Sequence, residues 1–253
     1  MKPSVRVTRL AWWLIGLIAA PSLAEPLIPP TAIDWLLDCP LPAVARLDPE
    51  VLERTQCGVV SVPRDHAAPA RGRIRLVLTR VGARQPLNRE GVVFAQSGEP
   101  HHGKNTPFAL QLASRWESYA TPAYRALTNL YDVIELTPRD LRQAQGVEQA
   151  ALDMEFVRTQ LGEARLNFVG NADATRLGSR YGALFPERVA RMVLVNASHG
   201  DPITSGIEHL LLKAPPAPSK LANGCVERWL GDFLMYGKQP PPSARCVDSG
   251  QWE

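Results

Sequence analysis

Short apolar runs alternate along this chain with longer stretches whose apolar residues recur at helical spacing. Val59–Val62 and Ile74–Val81 read as strands, joined across Pro63–Gly72, a turn by composition. In the second of these, Arg73, Arg75 and Thr79 alternate with Ile74, Leu76 and Leu78, the pattern of a strand with one wet face near a sheet edge. Gly91–Gln96 and Tyr131–Leu136 read as strands buried on both faces. Helices are predicted over Phe108–Tyr119 and over Gln149–Leu161, where Leu152, Phe156 and Leu161 recur at helical spacing. Leu166–Val169 and Arg191–Val195 are further strands, separated by a helix that stops at Phe185-Pro186-Glu187-Arg188. Strands alternating with helices predict an α/β fold, a doubly wound and mostly parallel sheet covered on both faces.

The ends of the chain differ in character from this middle. Lys2, Arg6 and Arg9 precede an apolar run over Leu10–Ala20 and the small-residue site Ser22-Leu23-Ala24, which together read as a secretory leader over 1–24. The run is shorter than the roughly 18 apolar residues of a membrane span, so no membrane attachment is expected once the leader is cleaved. From Ile33 to Leu47 the chain is short, apolar and turn-rich. Beyond Asp201-Pro202, Ala214–Pro218 reads as a linker and Ser219–Tyr236 as an amphipathic helix with Leu221, Val226, Trp229, Phe233 and Leu234 near one face. The expected organisation is a leader over 1–24, a core over 25–200, and a linker with a partial cap over 201–253.

Charge and cysteine content narrow the setting. The formal net charge is +3, and loss of Lys2, Arg6 and Arg9 with the leader brings it to zero, because every acidic residue lies beyond them. No basic stripe with interleaved aromatics is present, so nucleic acid is not an expected partner. Four cysteines, Cys39, Cys57, Cys225 and Cys246, form an even set in an exported chain, which places the protein in the periplasm or outside the cell as a disulfide-bonded molecule. Three pairings are possible; nearest-neighbour pairing closes two short loops, and neither spacing resembles a zinc knuckle.

Candidate chemistry centres on Leu166–Gly178. An apolar strand enters a tight turn and a helix follows, the outline of the elbow that lifts a nucleophilic serine above a sheet in a Gly-x-Ser-x-Gly turn. Here the turn reads Gly170-Asn171-Ala172-Asp173-Ala174, with alanine at the nucleophile position and at the second glycine. Asn196-Ala197-Ser198-His199-Gly200 imitates the same turn after another strand, which makes Ser198 an alternative nucleophile in a segment that otherwise reads as a polar turn. Asp173 falls one residue late for a carboxylate nucleophile and is placed to complement a helix N-terminus. His101, His102 and His199, with Asp140 or Glu99, could converge on a metal, but their spacing is not diagnostic, and neither metal nor cofactor is expected.

Three stretches carry a resemblance in order: Cys57–Asp65, Tyr131–Ile134, and Tyr181–Leu194, the last joining the elbow helix, its stop and the next strand in one register. From about Trp35 to Cys246 the chain resembles the secreted α/β-hydrolases of the prolyl and tripeptidyl aminopeptidase family. The resemblance implies an α/β-hydrolase sheet with a cap inserted after its sixth strand. It also implies a serine at position 172 and a glycine-rich oxyanion loop after the third strand. The loop here is Gln96-Ser97-Gly98-Glu99-Pro100-His101, with Ser97 and Gly98 as the remnant, Glu99 bringing negative charge and Pro100 lacking a donor. The family's Asp-x-Arg-Gly-x-Gly turn appears as Thr137-Pro138-Arg139-Asp140-Leu141-Arg142. The acid and histidine expected beyond the cap have no counterpart before Glu253, so the fold is expected incomplete, lacking its last strands, with only the start of a helical cap. The expected function is an exported hydrolase-like protein without peptidase turnover. The alternatives are a pseudoenzyme that binds a peptide or a second chain completing the sheet, and a serine hydrolase that uses Ser198.

Overall fold

The computed structural model describes residues 33–41, 47–98, 106–119, 121–137, 139–197, 206–213 and 224–241. In chain order the elements are β1 (Ile33–Trp35), α1 (Pro49–Glu53), β2 (Thr55–Pro63), β3 (Arg73–Val81), β4 (Gly91–Gln96), α2 (Phe108–Tyr119), α3 (Pro122–Leu130), β5 (Tyr131–Leu136), α4 (Ala144–Gln160), β6 (Leu166–Asn171), α5 (Ala174–Leu184), β7 (Val189–Val195), β8 (His209–Leu212) and α6 (Gly224–Tyr236). The strands form one sheet in the order β1-β2-β3-β5-β4-β6-β7-β8. β1, β2 and β3 run antiparallel to their neighbours, whereas β5, β4, β6, β7 and β8 are mutually parallel.

Each face of the sheet carries its own core. On one side Val60, Phe94, Phe168 and Leu194 meet Met154 of α4 and Leu177 and Tyr181 of α5. On the other, Val93, Val169 and Val193 meet Leu112 and Trp116 of α2, Leu127 of α3, and Leu230 and Phe233 of α6. Trp116 and Tyr124 stack with ring centroids 5.5 Å apart, joining α2 to α3. Burial on both faces explains why β4 reads as an unbroken apolar run; every one of its six residues is buried. β3 keeps its wet face only at its start: Arg73, Arg75 and Val77 are exposed beside buried Leu76 and Leu78, but Thr79, expected on the wet face, is buried.

The structure departs from the sequence pattern in particular places. The buried stripe of α4 runs through Ala150, Ala151, Met154 and Val157, while Leu152, Phe156 and Leu161 are only half-buried. The small side chains sit innermost because α4 and α5 pack side by side against the sheet. α3 falls where no helix was expected; Thr121 Oγ1 accepts from Tyr124 N at 3.2 Å and Pro122 opens the first turn. β8 extends the parallel series one strand further than the apolar pattern predicts, and α6 begins at Gly224 and docks on the α3 face. β1 arises in the segment read as irregular, and Cys39 is disulfide-bonded to Cys57 of β2, as nearest-neighbour pairing expects. The pairing of Cys225 with Cys246 falls outside the described residues.

Candidate functional site

In a doubly wound sheet, ligands lie beyond the carboxyl ends of the strands where the winding reverses. Here that point lies between β4 and β6, because the chain proceeds from β4 to β5 on one side and to β6 on the other. Gln96, Ser97 and Gly98 leave β4 at this crest, and Asn171, Ala172 and Asp173 leave β6 beside them.

The bend at Ala172 has the strained geometry of an elbow. Its φ is +52°, in the left-handed region that a Cβ disfavours. The bend is braced on both sides: Ala172 N donates to Val195 O at 3.0 Å, and Thr175 returns N and Oγ1 to Ala172 O at 3.0 and 2.7 Å. Close packing beneath it needs the glycines. A Cβ at Gly178 would stand 2.5 Å from the Phe168 ring, so α5 lies directly on β6. Ala174, at the position of the second glycine, is fully buried. The backbone therefore presents residue 172 as an elbow presents a nucleophile, and what it presents is a methyl group.

The loop after β4 closes on the same bend. Gly98 has φ +63°, and a Cβ there would come 2.4 Å from Ala174 N and 2.8 Å from Asp173 N. Gly98 is thus packed closely against the start of α5, with no room there for a side chain. Next to it, Asn196 (φ +57°) donates its Nδ2 to Asn171 Oδ1 at 3.1 Å, so two carboxamides bridge the ends of β6 and β7.

Asp173 occupies the N-cap position of α5 but makes no capping hydrogen bond. Arg176, one helical turn further on, donates instead to Leu141 O and Arg142 O at 2.9 and 3.3 Å. Asp140 is held by Arg142 and Gln143, and the hydrogen bonds from Arg142 pull its carboxyl below the usual carboxylate range.

Sequence reasoning missed a polar cluster that fixes the loop after β5. Asp153, buried in the middle of α4, accepts from Arg139 Nε and Nη2 at 2.7 and 2.9 Å and pairs with His66 Nε2 at 2.7 Å. Arg139 also donates to Pro63 O and Arg64 O at 2.6 and 2.5 Å, tying the β2–β3 hairpin to the same carboxylate. The available signal was an aspartate inside an otherwise apolar helical stripe. A second such residue is Glu135 of β5, whose Oε2 accepts from Ala109 N at 2.9 Å at the start of α2.

Several expected site residues lie outside the described residues: Glu99, Pro100, His101, His102, Pro138, Ser198 and His199. Among the described residues, no group of three histidine, cysteine or acidic side chains is placed to hold a metal.

The strand order and directions, with an elbow between β6 and α5, define an α/β-hydrolase fold. The chain is related to the serine aminopeptidases of that fold. It is 25% identical over 215 residues to a tripeptidyl aminopeptidase of Streptomyces coelicolor, a match covering 64% of this chain and 36% of that protein. It is 38% identical over 60 residues to serine protease Hip1 of Mycobacterium tuberculosis, covering 23% of this chain and 12% of that protein. The chain therefore spans about a third of the length of the tripeptidyl aminopeptidases it matches. A probable hydrolytic enzyme of Pseudomonas aeruginosa has a similar solved structure, with 19% identity, 55% of this chain and 41% of that one covered, and a TM-score of 0.36. No protein-family model matches the chain.

Proposed function

We propose that this protein is an exported relative of the serine aminopeptidases that has kept the hydrolase crest and lost covalent peptidase turnover. One observation carries the reading: the braced, left-handed bend between β6 and α5 holds Ala172. A methyl group cannot attack a carbonyl, so an acyl-enzyme cannot form at this position. Export is supported by the basic and apolar leader over 1–24 and by the Cys39–Cys57 disulfide. The retained crest favours a ligand, a peptide or a second chain, over a substrate.

The test is fluorophosphonate labelling of the purified protein, with any modified peptide located by mass spectrometry. No label is expected on protein that melts cooperatively. A label on Ser198 would refute the reading and move the chemistry to the end of β7.

A further inference from the structure

We infer that α6 is fastened to the body of the protein by a proton. The carboxyl of Glu227 carries it into the junction of α2, α3 and α6, and the helix docks more tightly in mild acid than above neutrality. The inference is independent of the chemistry at the crest and starts from a count of donors. Glu227 stands in the first turn of α6 and is buried. Arg115 of α2 donates Nη1 to its Oε1 at 3.0 Å, and the hydroxyl of Tyr124 on α3 lies 2.8 Å from its Oε2. The same hydroxyl also reaches the Glu227 carbonyl oxygen. A phenol has one proton to give, and burial beside Glu227 holds that proton on Tyr124 well beyond the ordinary tyrosine range. With Glu227 ionised, the hydroxyl therefore serves the carbonyl or the carboxylate, and the other buried oxygen loses its bond to the phenol. A proton on Oε2 completes the set: the carboxyl donates to the phenol oxygen, the phenol to the carbonyl, and Arg115 still to Oε1.

Burial favours the same state. It raises the pKa of Glu227 above the ordinary 4.5, against the pull of Arg115 and Tyr124. Arg115 is partly exposed, so solvent screens the charge it offers. Tyr119 of α2 also faces the junction, and burial raises its pKa too, which keeps it neutral. Arg228, next to Glu227 on α6, is exposed and lies over the Trp229 ring. Arg191 of β7 holds the far end of α6 through Leu234 O and Met235 O, and His209 of β8 is bonded to Ile207 O. Undocking returns Glu227 to solvent and to its ordinary value. A docked value above it means that the proton's contribution is fully present below 4.5 and is lost as pH rises through the docked value. The consequence reaches the sheet, because Leu230 and Phe233 of α6 share one core with Val195 of β7 and Leu210 of β8. Loosening α6 uncovers that side of both strands.

The test is amide hydrogen exchange of the whole protein, followed by mass spectrometry across a pH series. Exchange is expressed as protection relative to the intrinsic rate at each pH, so the pH dependence of the exchange chemistry cancels. Peptides from α6 are compared with peptides from α5, which packs on the opposite face of the sheet. Protection of α6 is expected to fall as pH rises from 4.5, by at most about tenfold per pH unit, the limit for one proton, and more steeply than that of α5. Glu227→Gln, which cannot ionise, should flatten the α6 profile. Arg115→Met removes the cation that favours the carboxylate and should move the loss of protection to higher pH. A residue with a packing role alone would lower protection equally at every pH, so this second variant decides the matter if the first undocks α6 outright. Protection of α6 that is flat, rises with pH or merely tracks α5 would overturn the inference. So would a Glu227→Gln profile that still falls, or an Arg115→Met profile that does not move upward.

Discussion

Replacing Ala172 by glycine should stabilise this protein, although alanine-to-glycine changes ordinarily do the opposite. At φ +52° the alanine Cβ crowds the following carbonyl, at a cost of about 1–2 kcal/mol that glycine escapes. Against this stands the larger backbone entropy of glycine in the unfolded chain, about 0.4–1 kcal/mol. Little packing is lost, because residue 172 is only partly buried and its backbone hydrogen bonds to Val195 and Thr175 use no side-chain atom of its own. The balance lies between zero and a gain of about 1.6 kcal/mol, each kcal/mol being roughly 2–4 °C in melting temperature for a chain of this size. Urea unfolding at constant m-value, supported by a thermal scan, measures it. A loss of about 1 kcal/mol would refute the reasoning, for it would mean that residue 172 carries no left-handed strain. Asn196 supplies the control. Its φ of +57° is one that asparagine tolerates, and its side chain is bonded to Asn171, so Asn196→Gly should bring no gain.

Four further outcomes are expected. Gly98→Ala forces a Cβ against Ala174 N and Asp173 N from a left-handed backbone and should destabilise by about 2 kcal/mol or more, read by urea midpoint; a neutral change would show that the loop after β4 does not press on the elbow. Asp153→Ala leaves Arg139 and His66 without their shared carboxylate and should cost about 3–5 kcal/mol in the same assay, with early proteolysis of the β2–β3 hairpin. Replacing Cys39 and Cys57 by serine opens an 18-residue separation and should cost about 3 kcal/mol. Glu227 is buried against Tyr124 and Arg115, and burial raises its pKa above the ordinary 4.5 despite both partners. A raised folded pKa means that its contribution is fully present below 4.5 and is lost as pH rises through the folded value, so stability followed upward from pH 4 should decline less in Glu227→Gln than in the native chain.

The middle of the fold was legible because its signals are local. β4, β5 and α2 have the limits read from the sequence, since an apolar run between turns and a periodic stripe each identify one element without reference to any other. What was not legible depends on partners distant in sequence. Ile33–Trp35 is a strand because β2 offers it an edge and Cys57 a bridge, and nothing within three residues announces that. His209–Leu212 is likewise a strand by virtue of β7. The innermost residues of α4 were not those that carry the visible spacing, because large apolar side chains outweigh alanine in a periodicity count, while Ala150 and Ala151 lie deepest with Met154 and Val157. At the crest, the alanine at position 172 could be read directly from the sequence. The closing of Gly98 onto the α5 N-terminus could not, because it joins two loops more than seventy residues apart.

That pairing bears on how a hydrolase-like sheet can keep its bend with alanine at position 172. Neither core includes Ala172 or Asp173 among the described residues. The bend itself is different. It is held by Val195 O, by Thr175 and by the glycines that admit Phe168, all of which belong to the elements under it. Its strain is therefore imposed by the scaffold and survives any change of the residue displayed on it. A fold built this way can change the residue at position 172 while continuing to hold the bend and the bonded carboxamides of Asn171 and Asn196 beside it. The stability of Ala172→Gly reports that scaffold directly, because the substitution removes the Cβ from a left-handed backbone and leaves the hydrogen bonds to Val195 and Thr175 in place.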